Sequence, residues 1–160
     1  MTKAESKVID FIKKHILLFL LVAVTIIAIF LRVCGMDFQS DDFNSFLNSW
    51  WSIIKLNDFT GLATQVGNYN IPYQIIIYFM TLLPLNALYA YKIVSIIFDF
   101  VLAISTAMLV YSFANNNRRL KAILTYSAVL LSATVIFNSS FWAQCDSIYT
   151  SFIILAILFL

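Results

Sequence analysis

Charge is scarce in this chain. Asp, Glu, Lys and Arg make up only 11% of its 160 residues, where soluble domains carry ~25%. A soluble domain of this size still exposes roughly 30% of its unfolded surface, and this chain lacks the polar residues to cover it. Apolar residues account for 62%, and the mean hydropathy is +0.90. These values exclude a soluble globular fold and equally exclude disorder. Three glycines and two prolines rule out collagen-like and flexible-linker compositions. Two cysteines cannot build a disulfide scaffold. There is one histidine, His15, and no HExxH, P-loop, GxSxG or CxxC pattern. The net charge of +2 is small. The basic residues form no groove-sized patch, so nucleic acid is excluded as a partner.

Long apolar runs are what the chain does have. A helix needs ~20 mostly apolar residues to cross the hydrocarbon layer. Spans are expected at about 15–33, 89–113, 121–137 and 147–160. The first follows Lys3, Lys7, Lys13 and Lys14. It is longer than a signal-peptide core and has no A-x-A-like cleavage site, so it reads as a retained span. The run Ile71–Leu83 is about 13 residues long and ends at Pro84, short of a span by roughly 10 Å. Lys and Arg favour the cytoplasmic side in short loops. The basic N-terminus and the loop with Arg118, Arg119 and Lys121 both belong inside, which leaves one crossing between Asp41 and Arg118. Segment 71–83 is therefore expected at the outer interface or as a re-entrant element. The expectation is an all-α, polytopic helical protein of the cell membrane with a cytoplasmic N-terminus. Its outer loop, 34–88, carries interfacial helices at about 41–56 and 71–83. A second outer loop covers about 138–146. No basic or aromatic anchor follows Leu160, which reads as the N-terminal piece of a longer protein.

The long loop has helical periodicity. Phe43, Phe46, Leu47, Trp50 and Ile54 fall at i, i+3, i+4, i+7 and i+11, one helix face. Trp50 and Trp51 suit the headgroup zone, so this helix is expected to lie on the membrane. Ser40, Asp41 or Asp42 is its natural N-cap. Two adjacent carboxylates exceed what one cap needs, and the second is free for proton transfer at a sugar hydroxyl. Gly67-Asn68-Tyr69-Asn70-Ile71-Pro72-Tyr73 marks a turn into a short helix, with Pro72 tolerated in the first turn.

Polar residues also occur at membrane depth. Asp99 costs roughly 2.5–3.5 kcal/mol there on insertion scales and must face the bundle interior. Lys92 lies two turns earlier on the same face. Pairing of Lys92 with Asp99 relieves that cost; contact with a lipid phosphate or a neighbouring helix is the alternative. Residues Asn138 to Ser147 form an unusually polar joint between two apolar runs. Trp142 anchors it at the interface, and Gln144 and Asp146 supply hydrogen-bonding groups. Cys34 and Cys145 fall at outer span ends. A bridge between them is geometrically open, although isolated thiols usually serve as small apolar residues.

Three motifs resemble those of a GT-C glycosyltransferase, in particular bacterial membrane proteins related to the second mannosyltransferase of GPI-anchor synthesis. Ser40-Asp41-Asp42-Phe43 with Phe46, Leu47 and Trp50 resembles S-x-D-[YF]-x-x-F-L-x-x-W. Residues 67–73 resemble G-N-Y-N-x-P-Y, and residues 138–152 resemble N-S-x-x-W-G-Q-x-D-S-x-Y. Ala143 stands where that family usually has Gly. The resemblance covers nearly the whole chain from Arg32 onward.

The resemblance implies a GT-C-like fold and sugar transfer, with inversion, from a polyprenyl-phosphate donor to a glycan, lipid or protein acceptor on the outer face. It puts the catalytic base at Asp42, with Asp41 as the cap. Asn68, Tyr69, Asn70, Tyr73, Trp142, Gln144 and Asp146 are then expected to bind substrate. A cation would stabilise the departing lipid phosphate, and Arg32, Lys55 and Lys92 are the candidates. Some relatives of that fold use a divalent cation; nothing in this sequence demands one. Membrane lipids are the remaining expected partners. Two other readings compete. A small non-catalytic membrane partner would point Asp41/Asp42 and Gln144/Asp146 to separate surfaces, and a transporter fragment would break its helices at the bilayer midplane.

Overall fold

The computed structural model describes residues 3–160. Among the described residues every regular element is helical. Helix α1, Lys3–Val33, has 31 residues and is about 46 Å long at 1.5 Å per residue. A turn at 34–37 leads to a π-helical turn, Phe43–Leu47, that runs directly into α2, Asn48–Asn57. A 3₁₀ turn, Asp58–Leu62, and a loop lead to α3, Ile71–Thr81, with Pro72 in its first turn. Helix α4, Ala87–Phe113, is capped by Asn86, whose Oδ1 accepts the Tyr89 N–H at 2.9 Å. Helices α5, Arg118–Leu130, and α6, Ala133–Ile136, follow, then a second π-helical turn, Phe137–Phe141, and α7, Asp146–Phe159.

Among the described residues two helices are long and apolar enough to cross a membrane: the Asp10–Val33 part of α1, and α4. The run expected to cross over 121–137 is bent by 50° between α5 and the segment Ala133–Phe141. Counting that bent pair as one span gives three. Helix α7 has 14 residues, about 21 Å, which is less than the ~30 Å hydrocarbon layer. Large apolar side chains stay exposed along α1, including Leu18, Val22, Ile26, Phe30 and Val33, and along α7, including Phe152, Ile153 and Ile157. Water does not tolerate an apolar surface of that extent on a monomer, whereas lipid does.

Helix α4 is the central element, packed against α5 and α7 along its length and against α3 near its start. One core joins Val24 and Ala28 of α1 to Ala103 of α4 and Tyr126 and Leu130 of α5. The other joins Phe43, Leu47, Trp51 and Ile54 to Tyr73, Ile77 and Met80 of α3 and to Ala90 and Tyr91 of α4.

Between these cores lies a buried ion pair. Arg32 Nε donates to Asp99 Oδ2 at 2.9 Å, and both side chains are almost fully buried. Ser139 donates to the same carboxylate oxygen and Ser147 to the other. Arg32 Nη1 donates to the Ala28 carbonyl at 3.1 Å and to the Leu130 carbonyl at 3.0 Å. Leu130 ends α5, so the guanidinium takes a carbonyl that the bend leaves without an intrahelical donor. Its carbon also lies 5.8 Å from the Phe100 ring centroid.

The expected pairing of Lys92 with Asp99 is not formed. Lys92 Nζ donates to the carbonyls of Gly35 at 2.7 Å, Met36 at 3.0 Å, and Phe38. An ammonium has three donors, and this one spends all three on the turn after α1. The reason is position: Lys92 sits in the second turn of α4, level with that turn, while Asp99 lies deeper, level with Arg32.

Removing one partner of a buried pair leaves the other uncompensated, at about 3–5 kcal/mol. Arg32→Met and Asp99→Asn are each expected to lower thermal stability in detergent by that order. The double variant Arg32→Met/Asp99→Leu should cost clearly less than the sum of the two single changes, which a double-mutant cycle measures.

Candidate functional site

The site is assembled where the three motifs meet. Ser40 is the N-cap of the first. Its Oγ accepts the Phe43 N–H at 3.1 Å, and its carbonyl accepts the Asn44 N–H at 3.1 Å. The Ser40 hydroxyl in turn donates to the Trp142 carbonyl at 3.3 Å, tying the first motif to the third. This corrects the expectation that Asp41 caps the helix. Helical backbone begins at Asp41, so the residue just before it, Ser40, holds the capping position. Asp41 and Asp42 are both exposed in the first turn, where the helix dipole favours negative charge.

The π-helical turn Phe43–Leu47 then leads into α2. A regular helix would bury Phe43, Phe46, Leu47, Trp50 and Ile54 together. The buried set is Phe43, Leu47, Trp51 and Ile54. Phe46 is exposed and Trp50 only partly buried, so these two stand at the edge of the buried stripe. Turns of the π-helical kind recur at functional sites. Tyr91 of α4 holds this turn, donating its hydroxyl to the Leu47 carbonyl at 3.1 Å.

The second motif packs on Trp50. Gly67 has φ +75°, and a Cβ built there would lie 2.3 Å from the Trp50 indole. Tyr69 meets the same indole edge-on, with ring centroids 5.4 Å apart. Behind it, Tyr73 packs on Tyr69 at 5.0 Å. The loop before Gly67 is held by Gln74, a buried residue of α3. Gln74 Nε2 donates to the carbonyls of Gly61 at 2.8 Å and Thr64 at 2.7 Å, and its Oε1 accepts the Val66 N–H at 3.1 Å.

The third motif follows the second π-helical turn. The Trp142 N–H donates to the Phe137 carbonyl, and the Gln144 N–H to the Asn138 carbonyl, both at 2.9 Å. Between them the chain reverses through Ala143, which is fully buried with φ +59°. That is left-handed backbone, favoured by Gly, at the position where the resembled motif has Gly.

Gln144 closes the arrangement. Its Nε2 donates to Asp42 Oδ2 at 2.9 Å, and its Oε1 accepts from the Tyr69 hydroxyl at 2.9 Å. A carboxylate only accepts, so the amide nitrogen must face Asp42. The amide oxygen then faces Tyr69, which must donate. Tyr69 is suited to that, because burial, reinforced by Cys145 and the nearby carboxylates, raises its pKa well above that of an ordinary phenol. One side chain from each motif thus forms a directed chain: Tyr69 to Gln144 to Asp42.

Asp42, Asn68, Tyr69 and Gln144 line a cavity of about 460 Å³ whose apolar wall includes Phe46 and Trp50. A smaller cavity of about 260 Å³ is lined by Gln39, Asp41 and Trp142 among others. Asp42 borders both. Of the other expected binding residues, Asn70 is exposed at the start of α3, where its carbonyl accepts the Tyr73 N–H at 3.0 Å. Tyr73 is buried behind the cavity wall. Asp146 accepts from Asn138 Nδ2 at 2.7 Å and from the Tyr149 hydroxyl at 3.2 Å. The expected phosphate cations are elsewhere. Arg32 and Lys92 are buried and engaged as described, and Lys55 is exposed on α2. None of the three lines either cavity.

Gln74, Gln39 and the cavity roles of Phe46 and Trp50 escape a reading of the sequence alone. For Gln74 the signal is a lone amide in an otherwise apolar run. For Phe46 and Trp50 the periodicity gives a buried helix face, not a cavity wall. Cys34 is exposed, Cys145 is buried, and both are free thiols. Among the described residues no three His, Cys, Asp or Glu side chains converge as a metal site, and Asp42 brings one carboxylate to the larger cavity. Asp41 and Asp42 both border the smaller cavity. No protein-family model, curated protein or solved structure matches the chain.

Two predictions follow from this geometry. Gly67→Ala forces a Cβ into Trp50 at an unfavourable φ, so it should shift the Trp50 fluorescence and cost about 2 kcal/mol or more. By contrast Ala143→Gly should leave thermal stability within about 1 kcal/mol, since relief of left-handed strain offsets added chain entropy, while Ala143→Val should be strongly destabilising.

A further prediction concerns pH. Burial pushes the Cys145 thiol up to about 11, against ~8.5 for a free thiol. The folded state therefore holds the proton longer than the unfolded state, and stability falls as pH rises between those values. Tyr69 and Tyr73, also raised chiefly by burial, steepen the loss at the upper end. Unfolding midpoints should drop from pH 8.5 to 11, and Cys145→Ala should flatten the lower part of that drop.

Proposed function

We propose that this chain is the catalytic part of a membrane glycosyltransferase, transferring a hexose, mannose being the model, from a polyprenyl-phosphate donor to an acceptor hydroxyl. The observation that carries this reading is the joining of Asp42, Tyr69 and Gln144, one residue from each motif, on the wall of one cavity. A non-catalytic partner protein has no need to bring Asp42 and Gln144 together.

The chemistry follows from the positions. Asp42 takes the proton of the acceptor hydroxyl. The acceptor oxygen forms a bond to the anomeric carbon while the bond from that carbon to the phosphate oxygen breaks on the opposite face. The electron pair leaves with the polyprenyl phosphate, and the sugar passes through an oxocarbenium-like state with inversion. Gln144 orients the Asp42 carboxylate, and Tyr69 orients Gln144. Trp50 and Tyr69 offer the sugar an aromatic wall, and Asn68 adds a polar group. Asp42 can meet donor and acceptor, because it borders both cavities.

The proposed topology keeps four crossings: α1, α4, the bent α5–α6 segment, and α7 together with lipid-facing residues near its end. The N-terminus and the Arg118–Lys121 segment then face the cytoplasm, and the cavity at Asp42 faces the outer surface, with α2 and α3 at the interface. The leaving phosphate has no cation on the cavity wall, so Lys55 is the one candidate of the three whose side chain is exposed to move toward it.

The test uses the chain reconstituted in vesicles with a polyprenyl-phosphate hexose. Wild type should release polyprenyl phosphate. Asp42→Asn should release it about 10²–10⁴-fold more slowly while still binding donor. Unchanged turnover in Asp42→Asn, or no release by the wild type, would overturn the reading.

A further inference from the structure

A second site lies at the other end of α1. Lys13, Lys14 and His15 of α1 and Arg119 of α5 border a cavity of about 480 Å³. It lies about 28 Å along α1 from Val33, by 19 residues at 1.5 Å each. Among the described residues no Asp or Glu lines this cavity. Asp10 lies one turn before Lys13 and Lys14, and the cluster keeps its net positive charge.

This basic cavity adjoins an apolar one. Tyr111, Ala122 and Ile123 line both. The second cavity, about 560 Å³, runs between α1, α4 and α5 past Leu21, Ile104 and Met108. Its polar groups are few, and two of them, Thr25 and Tyr126, are hydrogen-bonded to each other at 2.9 Å. A cationic mouth opening into an apolar channel matches one kind of molecule: an amphiphile with an anionic head and a hydrocarbon tail. Ile104 and Met108 are exposed beside the channel, and Leu18 and Phe19 are exposed on the adjoining face of α1. A chain can enter sideways from the bilayer, and a second chain can lie on α1. A two-chain lipid fits this better than a single isoprenoid.

We infer that Lys13, Lys14 and Arg119 bind the phosphodiester of an anionic phospholipid, one of whose acyl chains occupies the channel between α1, α4 and α5. Basic pockets between membrane helices are known to take such headgroups. The inference needs only that the chain resides in a membrane; it stands apart from the proposed transferase chemistry at Asp42.

Delipidated full-length protein in detergent, titrated with phosphatidylglycerol or phosphatidylcholine of identical chains and followed by native mass spectrometry, tests this. One phosphatidylglycerol should be retained per chain, at least tenfold more tightly than phosphatidylcholine. Each of Lys13→Gln, Lys14→Gln and Arg119→Gln should weaken it about fivefold. Met108→Trp, which fills the channel and leaves the charges intact, should also displace it; this keeps the test decisive if a charge variant fails to fold. Lys121→Gln, whose ammonium bonds Asn116 at 3.1 Å outside the cavity, should change nothing. Equal retention of both lipids overturns the inference. So does a Lys121→Gln loss as large as that of Arg119→Gln, which would mean diffuse surface charge, or tighter binding of polyprenyl phosphate in place of the phospholipid.

Discussion

The Asp99 carboxylate is the point on which the motif end of the molecule is hung. Arg32 reaches it from α1, Ser139 from the second π-helical turn and Ser147 from α7, while Asp99 itself belongs to α4. Arg32 extends the junction to α5 through the Leu130 carbonyl. An isolated charge at that depth would be costly. Once the pair exists, the low dielectric that penalises unpaired charge makes any separation of these segments unfavourable. Lys92 does a related task one level up, with three carbonyls of the turn after α1 gathered on one ammonium. That turn leads within two residues to Ser40. The position of Asp42 is therefore set by buried cations that never touch it.

This division of labour accounts for what the sequence reveals and what it hides. Apolar runs announce α1 and α4 because lipid demands an uninterrupted stretch, and composition alone records that demand. Pro72 and the Gly67–Asn70 turn mark the start of α3 for local reasons, a fixed φ and a left-handed residue. The break between α5 and α6 has no such mark. Neither Pro nor Gly stands at Leu131 or Ser132, and the bend is sustained by Arg32, a residue 98 positions away from Leu130. Likewise Lys92 and Asp99 share a face of α4, so a single helix suggests that they pair; their true partners lie on other segments.

The candidate site divides in the same way. Its residue types are legible, since paired Asp, a tyrosine-rich turn and a polar joint stand out in an apolar chain. Their convergence is not, because it depends on contacts between segments far apart in the chain, Gln144 with Asp42 and Tyr69 among them. Trp50, on the helix face expected to be buried, also borders the cavity. Arg32 and Lys92 are prominent cations in the sequence, yet both work inside the scaffold. Charge in an apolar chain flags importance without saying whether the task is chemical or architectural.

Gln74 carries a consequence of another kind. Its one amide spans Gly61, Thr64 and Val66, donating twice and accepting once. Those three backbone groups are met at fixed intervals along the loop, so the amide acts as a ruler for the chain between them. The amide touches only main-chain atoms, so it places no demand on the exposed side chains at 63, 64 and 65. The number of residues is fixed: one inserted or lost between 61 and 66 would offset the backbone from the amide, strand a buried polar group, and displace Gly67 from Trp50. Along this stretch, drift in identity should be far easier than drift in length.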